Sequence, residues 1–432
     1  MPCRSSAGYA GPKQLLLVFA LGVFGAATFA TKVIGQDTGK AALTESQSFF
    51  PELRPKQTLT APNELRGLPG LYQTQSGNSN LTISPDGKRL AAYIRYGVEI
   101  ETWSPDSTYR KAIPRYTSIG LDSYVLHFLD GHRLLISSPA ADTNDAEGWK
   151  KVEDAAFSVV DADTGKVLRN IPGPNPGAPS NKNIALEIAI SPDERLVAAI
   201  IRQLTERRVV IFSTDDWHQV TELDLRTTGT KEDDLDPHEL AFSPDGKSLA
   251  IAHGFHGRVK FFEVGSWRLV RSIITFPETP PPLTVSVLGA IAFSPDGSMI
   301  AVASLGGGSW WVSADGRPTK EGAGAFKQEF PADPLRVYRV SDGARVNSLG
   351  SFPGGLSSNA RLAWSIKGDY LAFLDGLGNV RFWNPNQPGL STVVAHIGPH
   401  SESILLSKNG SQLFANFPDG IKIFDIVANL SK

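Results

Sequence analysis

The sequence predicts an all-β chain built as a seven-bladed β-propeller, with six to eight blades compatible with the spacing of its repeats. Three observations predict it. First, a strand, tight turn and strand recur: Ser-Pro-Asp-Gly at Ser84–Gly87, Ser243–Gly246 and Ser294–Gly297, and Ser191-Pro192-Asp193-Glu194 in the same role. Weaker copies stand at Leu129-Asp130-Gly131, Ser365-Ile366-Lys367-Gly368 and Ser407-Lys408-Asn409-Gly410. Second, the fourth turn positions (Gly87, Gly131, Glu194, Gly246, Gly297, Gly368, Gly410) lie 42 to 71 residues apart, and the shortest spacing suits four antiparallel strands with their turns. Third, the flanks of each turn are apolar while the chain carries 41 Gly and 30 Pro, so it turns often and reads as many short strands.

In each turn the proline presets position i+1, the serine hydroxyl can bond the turn backbone, and glycine accepts the positive φ that returns the chain antiparallel. The strand before the turn (strand a) and the one after it (strand b, as Leu249-Ala250-Ile251-Ala252 or Met299-Ile300-Ala301-Val302-Ala303) are nearly continuously apolar. That composition is expected of a sheet covered on both faces. Strand c alternates more clearly, as in Val259-Lys260-Phe261-Phe262 and Val380-Arg381-Phe382-Trp383. Strand d is the most polar, as an outer edge should be. Short turns such as Ser341-Asp342-Gly343 join c to d.

Along the chain, Arg4 and Lys13 precede the uncharged run Leu15 to Ala30, short for a spanning helix and suited to a signal sequence. Residues 1–35 therefore read as an export signal, cleaved after Ala30 or Gly35, or as an uncleaved anchor; either way the expected location is periplasmic or secreted. Residues 36–68, polar and punctuated by Pro51, Pro55 and Pro62, read as a linker, and 69–432 as the propeller. The seventh repeat ends within six residues of its c strand, so an upstream segment within Gly70 to Ser76 is expected to supply its outer strand and close the ring.

The repeats resemble the WD-repeat propellers, and the Ser-Pro-Asp-Gly turns are also similar to those of TolB-like propeller proteins of the bacterial envelope. The Trp-Asp pair that ends strand c in the first family survives only as Trp383-Asn384 or Phe424-Asp425, so its polar tetrad is mostly missing. The resemblance implies the fold and little about activity.

Function is sought in the loops. In a propeller the b–c and d–a connections leave one end, opposite the Ser-Pro-Asp-Gly turns, and the long ones here are all of those two kinds: Ser138 to Val152, Leu305 to Pro334, Pro172 to Lys182, Thr227 to Asp236 and Pro277 to Pro282. Elaborated loops on a rigid frame are where binding is built, although surface loops also drift in length. Within them Trp310 and Trp311 either cap the channel mouth or touch a ligand or partner, or one anchors the insertion; Trp149, Phe326 and Phe330 are similar candidates. His253, His256 and His400 fall near the same end but lack metal-ligand spacing. No nucleophile elbow, phosphate loop or convergent cofactor set is read, so no catalytic residue, metal or cofactor is expected.

The near balance of 42 Lys+Arg against 44 Asp+Glu implies no nucleic-acid partner, and a membrane only through an uncleaved N-terminal segment. The expectation is a non-catalytic scaffold for a protein or peptide. The alternative is a lactonase-like or dehydrogenase-like propeller enzyme with a metal or small ligand on the axis.

Overall fold

The computed structural model describes residues 53–60, 81–94, 99–103, 110–113, 125–136, 155–174, 183–203, 206–225, 237–253, 257–275, 287–306, 309–312, 318–319, 325–328, 333–353, 355–356, 361–387, 391–397, 404–407, 410–417 and 420–426. Among them there is no helix, and the strands form seven four-stranded antiparallel sheets and one three-stranded sheet.

Strand β1 (Pro55–Thr60) stands apart from its neighbours in sequence. The first sheet follows as β2 (Leu81–Ile83), β3 (Leu90–Ile94), β4 (Glu99–Trp103) and β5 (Arg110–Ile113). The second is β6 (Leu126–Phe128), β7 (Arg133–Ile136), β8 (Ala155–Asp161) and β9 (Val167–Pro172). The third is β10 (Ile184–Ile190), β11 (Leu196–Gln203), β12 (Glu206–Ser213) and β13 (Gln219–Glu222). The fourth is β14 (Pro237–Phe242), β15 (Ser248–His253), β16 (Arg258–Glu263) and β17 (Leu269–Ile274). The fifth begins with β18 (Val287–Phe293) and β19 (Met299–Gly306). An inserted sheet of β20 (Ser309–Val312), β21 (Pro318–Thr319) and β22 (Ala325–Gln328) intervenes. The fifth sheet then resumes with β23 (Leu335–Arg339) and β24 (Arg345–Leu349). The sixth is β25 (Ala363–Trp364), β26 (Leu371–Leu374), β27 (Asn379–Trp383) and β28 (Thr392–His396). The last comprises β29 (Ile404–Leu406), β30 (Gln412–Phe417) and β31 (Gly420–Asp425), completed by β1.

The turns behave as their residues dictate. Gly246 N donates to Ser243 O at 2.9 Å, Ser243 Oγ donates to Asp245 Oδ1 at 2.6 Å, and the same Oγ accepts Ser248 N at 2.9 Å. The serine hydrogen bond, foremost, then backbone donors hold the carboxyls of Asp86, Asp193, Asp245 and Asp296 below the usual carboxylate range. Glu194 takes φ 61° where its sister turns place glycine. The turns also meet one another: a Cβ on Gly297 would lie 3.5 Å from Pro244 Cδ, and one on Gly246 would lie 3.7 Å from Pro192 Cδ. The turns of the third, fourth and fifth sheets thus lie side by side.

Packing between sheets follows the pleat. Alternate residues of one strand enter different apolar clusters: Ala199 lies among second- and third-sheet residues such as Phe157, Ile188 and Val210, while Ala198 lies among third- and fourth-sheet residues such as Ile211, Leu240 and Phe262. The same holds around the circle, ending with Leu81, Leu90 and Ala92 of the first sheet against Phe414, Ile421 and Ile423 of the last. Every sheet is covered on both faces, which is why its inner strands read as unbroken apolar runs. At ~1.5–3 kcal/mol for each fully buried Leu, Ile or Phe, these seams are the main stabilising term. Trp217 and Trp267, at φ 64° and 55° in the c–d turns of the third and fourth sheets, press onto the seams with the preceding sheets; Trp217 meets Phe157 edge-on at 5.9 Å. That burial offsets a backbone conformation bulky residues avoid.

Alternation in the c strands does not mark an exposed face. Lys260, Arg336 and Arg381 occupy the same register position in the fourth, fifth and sixth sheets, opposite Ile251, Val302 and Phe373, and all three are buried. Lys260 Nζ donates to Leu225 O at 2.5 Å and Arg336 Nη1 to Thr275 O at 2.8 Å, each carbonyl lying beyond the outer strand of the preceding sheet. Arg381 Nε donates to Asp375 Oδ2 at 2.6 Å and its guanidinium lies 5.1 Å from the Phe352 ring centre. These cations tie neighbouring strands and sheets together.

The closing strand is not where the sequence suggests. Gly70 to Ser76 lies outside the described residues, and β1, inside the expected linker, pairs with β31 instead: Thr60 opposite Gly420, Leu59 opposite Ile421, Gln57 opposite Ile423 and Pro55 opposite Phe424. The ladder skips Lys56 just as the outer strands of the third and fourth sheets skip Val220 and Val270, so β1 copies an outer strand down to its bulge. Lys56 Nζ meets Asp425 Oδ2 at 3.2 Å, and Leu53, buried, donates its amide to Val394 O at 2.5 Å in the sixth sheet. A polar strand with a proline at its first position reads as a connector, yet both features are tolerated at an outer edge.

Deleting residues 53–60 should expose the β31 edge and lower the thermal midpoint by several degrees, with faster unfolding in urea; an unchanged melt would remove the closing role of β1. Asp375→Ala, which strands buried Arg381, is expected to cost about 3–5 kcal/mol in denaturant titrations.

Candidate functional site

Strand directions locate the two ends of the ring. Strand a runs toward the Ser-Pro-Asp-Gly turn and strand b away from it, so the b–c and d–a connections leave the opposite end. The a strands are innermost: β10 neighbours β14, β14 neighbours β18, β18 neighbours β25, β25 neighbours β29, and β29 neighbours β2. Side chains at one repeat position of these strands therefore converge on a shared axis.

Four residues before the turn serine, that position holds Glu187 in β10, Glu239 in β14, Ala290 in β18 and Arg361 just ahead of β25. Four residues of strand span ~13 Å, which sets the charges toward the loop-bearing end. In β10 and β14 the ladder slips immediately before the glutamate, between Ala185 and Glu187 and between Pro237 and Glu239. Such bulges re-aim a side chain. Arg361 Nη2 then donates to Glu187 Oε2 and Nη1 to Glu239 Oε2, each at 3.3 Å, joining the sixth sheet to the third and fourth. His127 of β6 brings its Nε2 to 3.9 Å from Glu187 Oε1.

Both carboxyls are buried, with side chains 5% and 10% exposed, whereas Arg361 and His127 keep 21% and 28%. One guanidinium faces two carboxyls. Burial pushes Glu239 up to about 8, Arg361 opposing the rise and the neighbouring Glu187 adding to it. Glu187 is raised by burial too, against the attraction and hydrogen bond of Arg361. Burial works against the charge of Arg361, but Glu239 and Glu187 outweigh it and raise its pKa. Burial first, and the Arg361 charge second, bring His127 down to about 4, so it is a neutral imidazole at neutral pH. The arrangement can hold a proton, accept hydrogen bonds and attract a cation. Among the described residues no group of three metal-type side chains is close enough to hold an ion.

The residues singled out from sequence fall elsewhere. Trp310, Trp311 and Phe326 lie in the inserted sheet, where Trp310 stands opposite Lys327 and Trp311 opposite both Phe326 and Thr319. That sheet is spliced into the b–c connection of the fifth sheet, hence at the loop-bearing end. His253 is buried at the end of β15, in register with Pro237 and Arg258. Trp149, Phe330, His256 and His400 lie outside the described residues. His127, Glu187, Glu239 and Arg361 were not singled out at all. A signal existed: aligning the repeats on their turns stacks Glu187, Glu239 and Arg361 in one column of otherwise apolar strands.

No family model matches the sequence, and no curated protein matches it. Among solved structures, hydrazine synthase of Kuenenia stuttgartiensis, a propeller-containing protein, is similar with a TM-score of 0.56 at 18% identity, over 83% of this chain and 99% of that one. The likeness is one of fold, and with the repeated four-stranded sheets it supports a β-propeller.

The acid cluster should leave a mark on stability. Glu239 keeps in the folded state a proton that the unfolded chain releases near 4.5, so its contribution is full below that pH and is lost as pH rises toward about 8. His127 acts in the opposite sense, its contribution being present above 6.5 and lost as pH falls through about 4. Glu239→Gln removes the first effect and leaves a one-to-one Glu187–Arg361 pair. The parent's thermal midpoint should fall between pH 6.5 and pH 8, and that of the variant should fall clearly less.

Proposed function

We propose that the chain is an exported, seven-bladed propeller of the WD-repeat or TolB-like kind that serves as a binding scaffold for a protein or peptide, without catalysis. The observation that carries this reading is directional. The described strands end toward the b–c and d–a connections at one end of the ring, where the three-stranded insertion β20–β22 and the charged column of the inner strands also lie, while the opposite end carries the short, repeated turns. A rigid frame with elaboration at one end is built for recognition, because the frame fixes where the loops begin while their sequences set what they fit. The uncharged Leu15 to Ala30 run supports a location in the periplasm or outside the cell, or at a membrane surface if it is kept.

A propeller enzyme with a small ligand on the axis is the second reading, and the His127, Glu187, Glu239 and Arg361 cluster favours it. Its carboxyls have the shifted protonation that active sites share, though structural ion pairs share it too.

Cross-linking capture from an envelope fraction separates the two readings. The parent is expected to retain a defined protein that the Trp310→Ala, Trp311→Ala double variant loses while melting as the parent does. Capture of the same proteins by parent, variant and an unrelated propeller would reject the scaffold.

A further inference from the structure

The outer strands of the ring are open edges, and most of them are protected. β5, β13, β24 and β28 are only four or five residues long, β1 opens on Pro55 and β9 ends on Pro172. Brevity and proline keep an edge from pairing with another chain. β17 has neither device: its six residues, Leu269 to Ile274, include no proline and no acid, and among the described residues no strand lies beyond it. Its Val270 and Ile274 are exposed, at 45% and 51%. Thr275 N donates to Gly257 O at 2.6 Å, which fixes the alternation of the ladder. Arg271 and Ile273 therefore turn their backbone groups toward β16, while Ser272 and Ile274 turn theirs outward. An unguarded row of backbone donors and acceptors is a template for one more strand.

The charges around this edge select its occupant. From Arg258 to Ile274 the β16–β17 hairpin carries Arg258, Lys260, Arg268 and Arg271 against a single acid, Glu263. Lys260 is buried and engaged by Leu225 O, and Arg268 has Glu263 at 3.7 Å. Among the described residues no ion pair reaches the side chains of Arg258 or Arg271, and Arg258 stands in register with Ile274. A second copy of β17 fits poorly, because antiparallel edge pairing would bring two Arg271 side chains together near the middle of the ladder. We propose that β17 accepts an extended acidic segment of a partner protein, added to the fourth sheet as a fifth strand. Side chains alternate along β17, with Ser272 and Ile274 on one face and Arg271 and Ile273 on the other. The added strand alternates to match, an aliphatic residue beside Ile274 and a glutamate or aspartate beside Arg271. Backbone hydrogen bonds supply the affinity and the arginines select the sequence. This edge lies on the outer rim and does not depend on what the loop-bearing end binds.

Fluorescence polarisation tests this with labelled acetyl-Ser-Val-Glu-Val-Glu-Val-Ser-amide, its counterpart with lysine in place of glutamate, and an acidic copy N-methylated at two successive central amides, which cannot pair as a strand. Saturable binding of the acidic peptide, at least about tenfold tighter than either control, is the expected result. Arg271→Glu should weaken it at least about tenfold. Ser272→Pro, which removes an outward N–H without breaking a rung to β16, should abolish it. Thermal melts show whether each variant folds, and the comparison of the three peptides on the parent stands even if neither does. No binding of the acidic peptide, equal binding of either control, or undiminished binding by either folded variant would each overturn the proposal. A dimer of the chain itself in sedimentation, dissolved by Ser272→Pro, would also overturn it, because the edge would then belong to a second copy.

Discussion

Every feature of this molecule depends on the contact between one sheet and the next. A four-stranded sheet with apolar residues on both faces cannot shield itself, and its small inner residues, such as Ala198, Ala199, Ala250, Ala252, Ala301 and Ala303, let the neighbouring sheet approach closely. Two sheets side by side still leave two bare faces. Only a closed circle leaves none, so the last seam, where Leu81 and Leu90 meet Phe414 and Ile423, matters as much as any other. Repeat arrays that remain open need polar caps at their ends; closure removes that need.

Closure also explains the position of β1. Antiparallel order runs outward within each sheet, and in the final sheet β31 holds the third place and β1 the outer edge. An outer strand drawn from the other end of the chain joins first and last sheets through backbone hydrogen bonds rather than through side-chain packing alone. Leu53, reaching the sixth sheet through the Val394 carbonyl, extends that clasp past the seam it closes.

How much of this could be read from the residues depended on range. The turns were legible because their chemistry is local: Ser243, Asp245 and Gly246 bond to one another or to residues within five positions. The apolar runs were legible because burial on both faces leaves a compositional trace. β1 was not, because its polar, proline-led sequence matches a linker and its meaning lies in pairing with residues near the other terminus. The buried Lys260, Arg336 and Arg381 looked like the polar half of an alternating strand, and only the carbonyls of the preceding sheet and Asp375 show where their charges go. Arg361 reaches Glu239 and Glu187 across 122 and 174 residues, a juxtaposition that the ring creates.

The buried charges fall into two kinds, which differ in how fully their partners engage them. Asp375 is fully engaged: one oxygen takes the amides of Leu377 and Asn379, the other takes the Asn379 side chain and Arg381 Nε. Nothing more could be added to it, so its role ends with holding the sixth sheet. The inner-strand carboxyls are held more loosely: one cation reaches both at 3.3 Å, and their side chains keep 5% and 10% of their surface where Asp375 keeps none. Selection for stability alone would replace such a group by an apolar residue, as Ala290 does at the same position of the next strand. Two adjacent sheets place glutamate where the next carries alanine, so packing alone does not dictate the residue at this position; what differs is that Arg361 reaches across the ring to both glutamates.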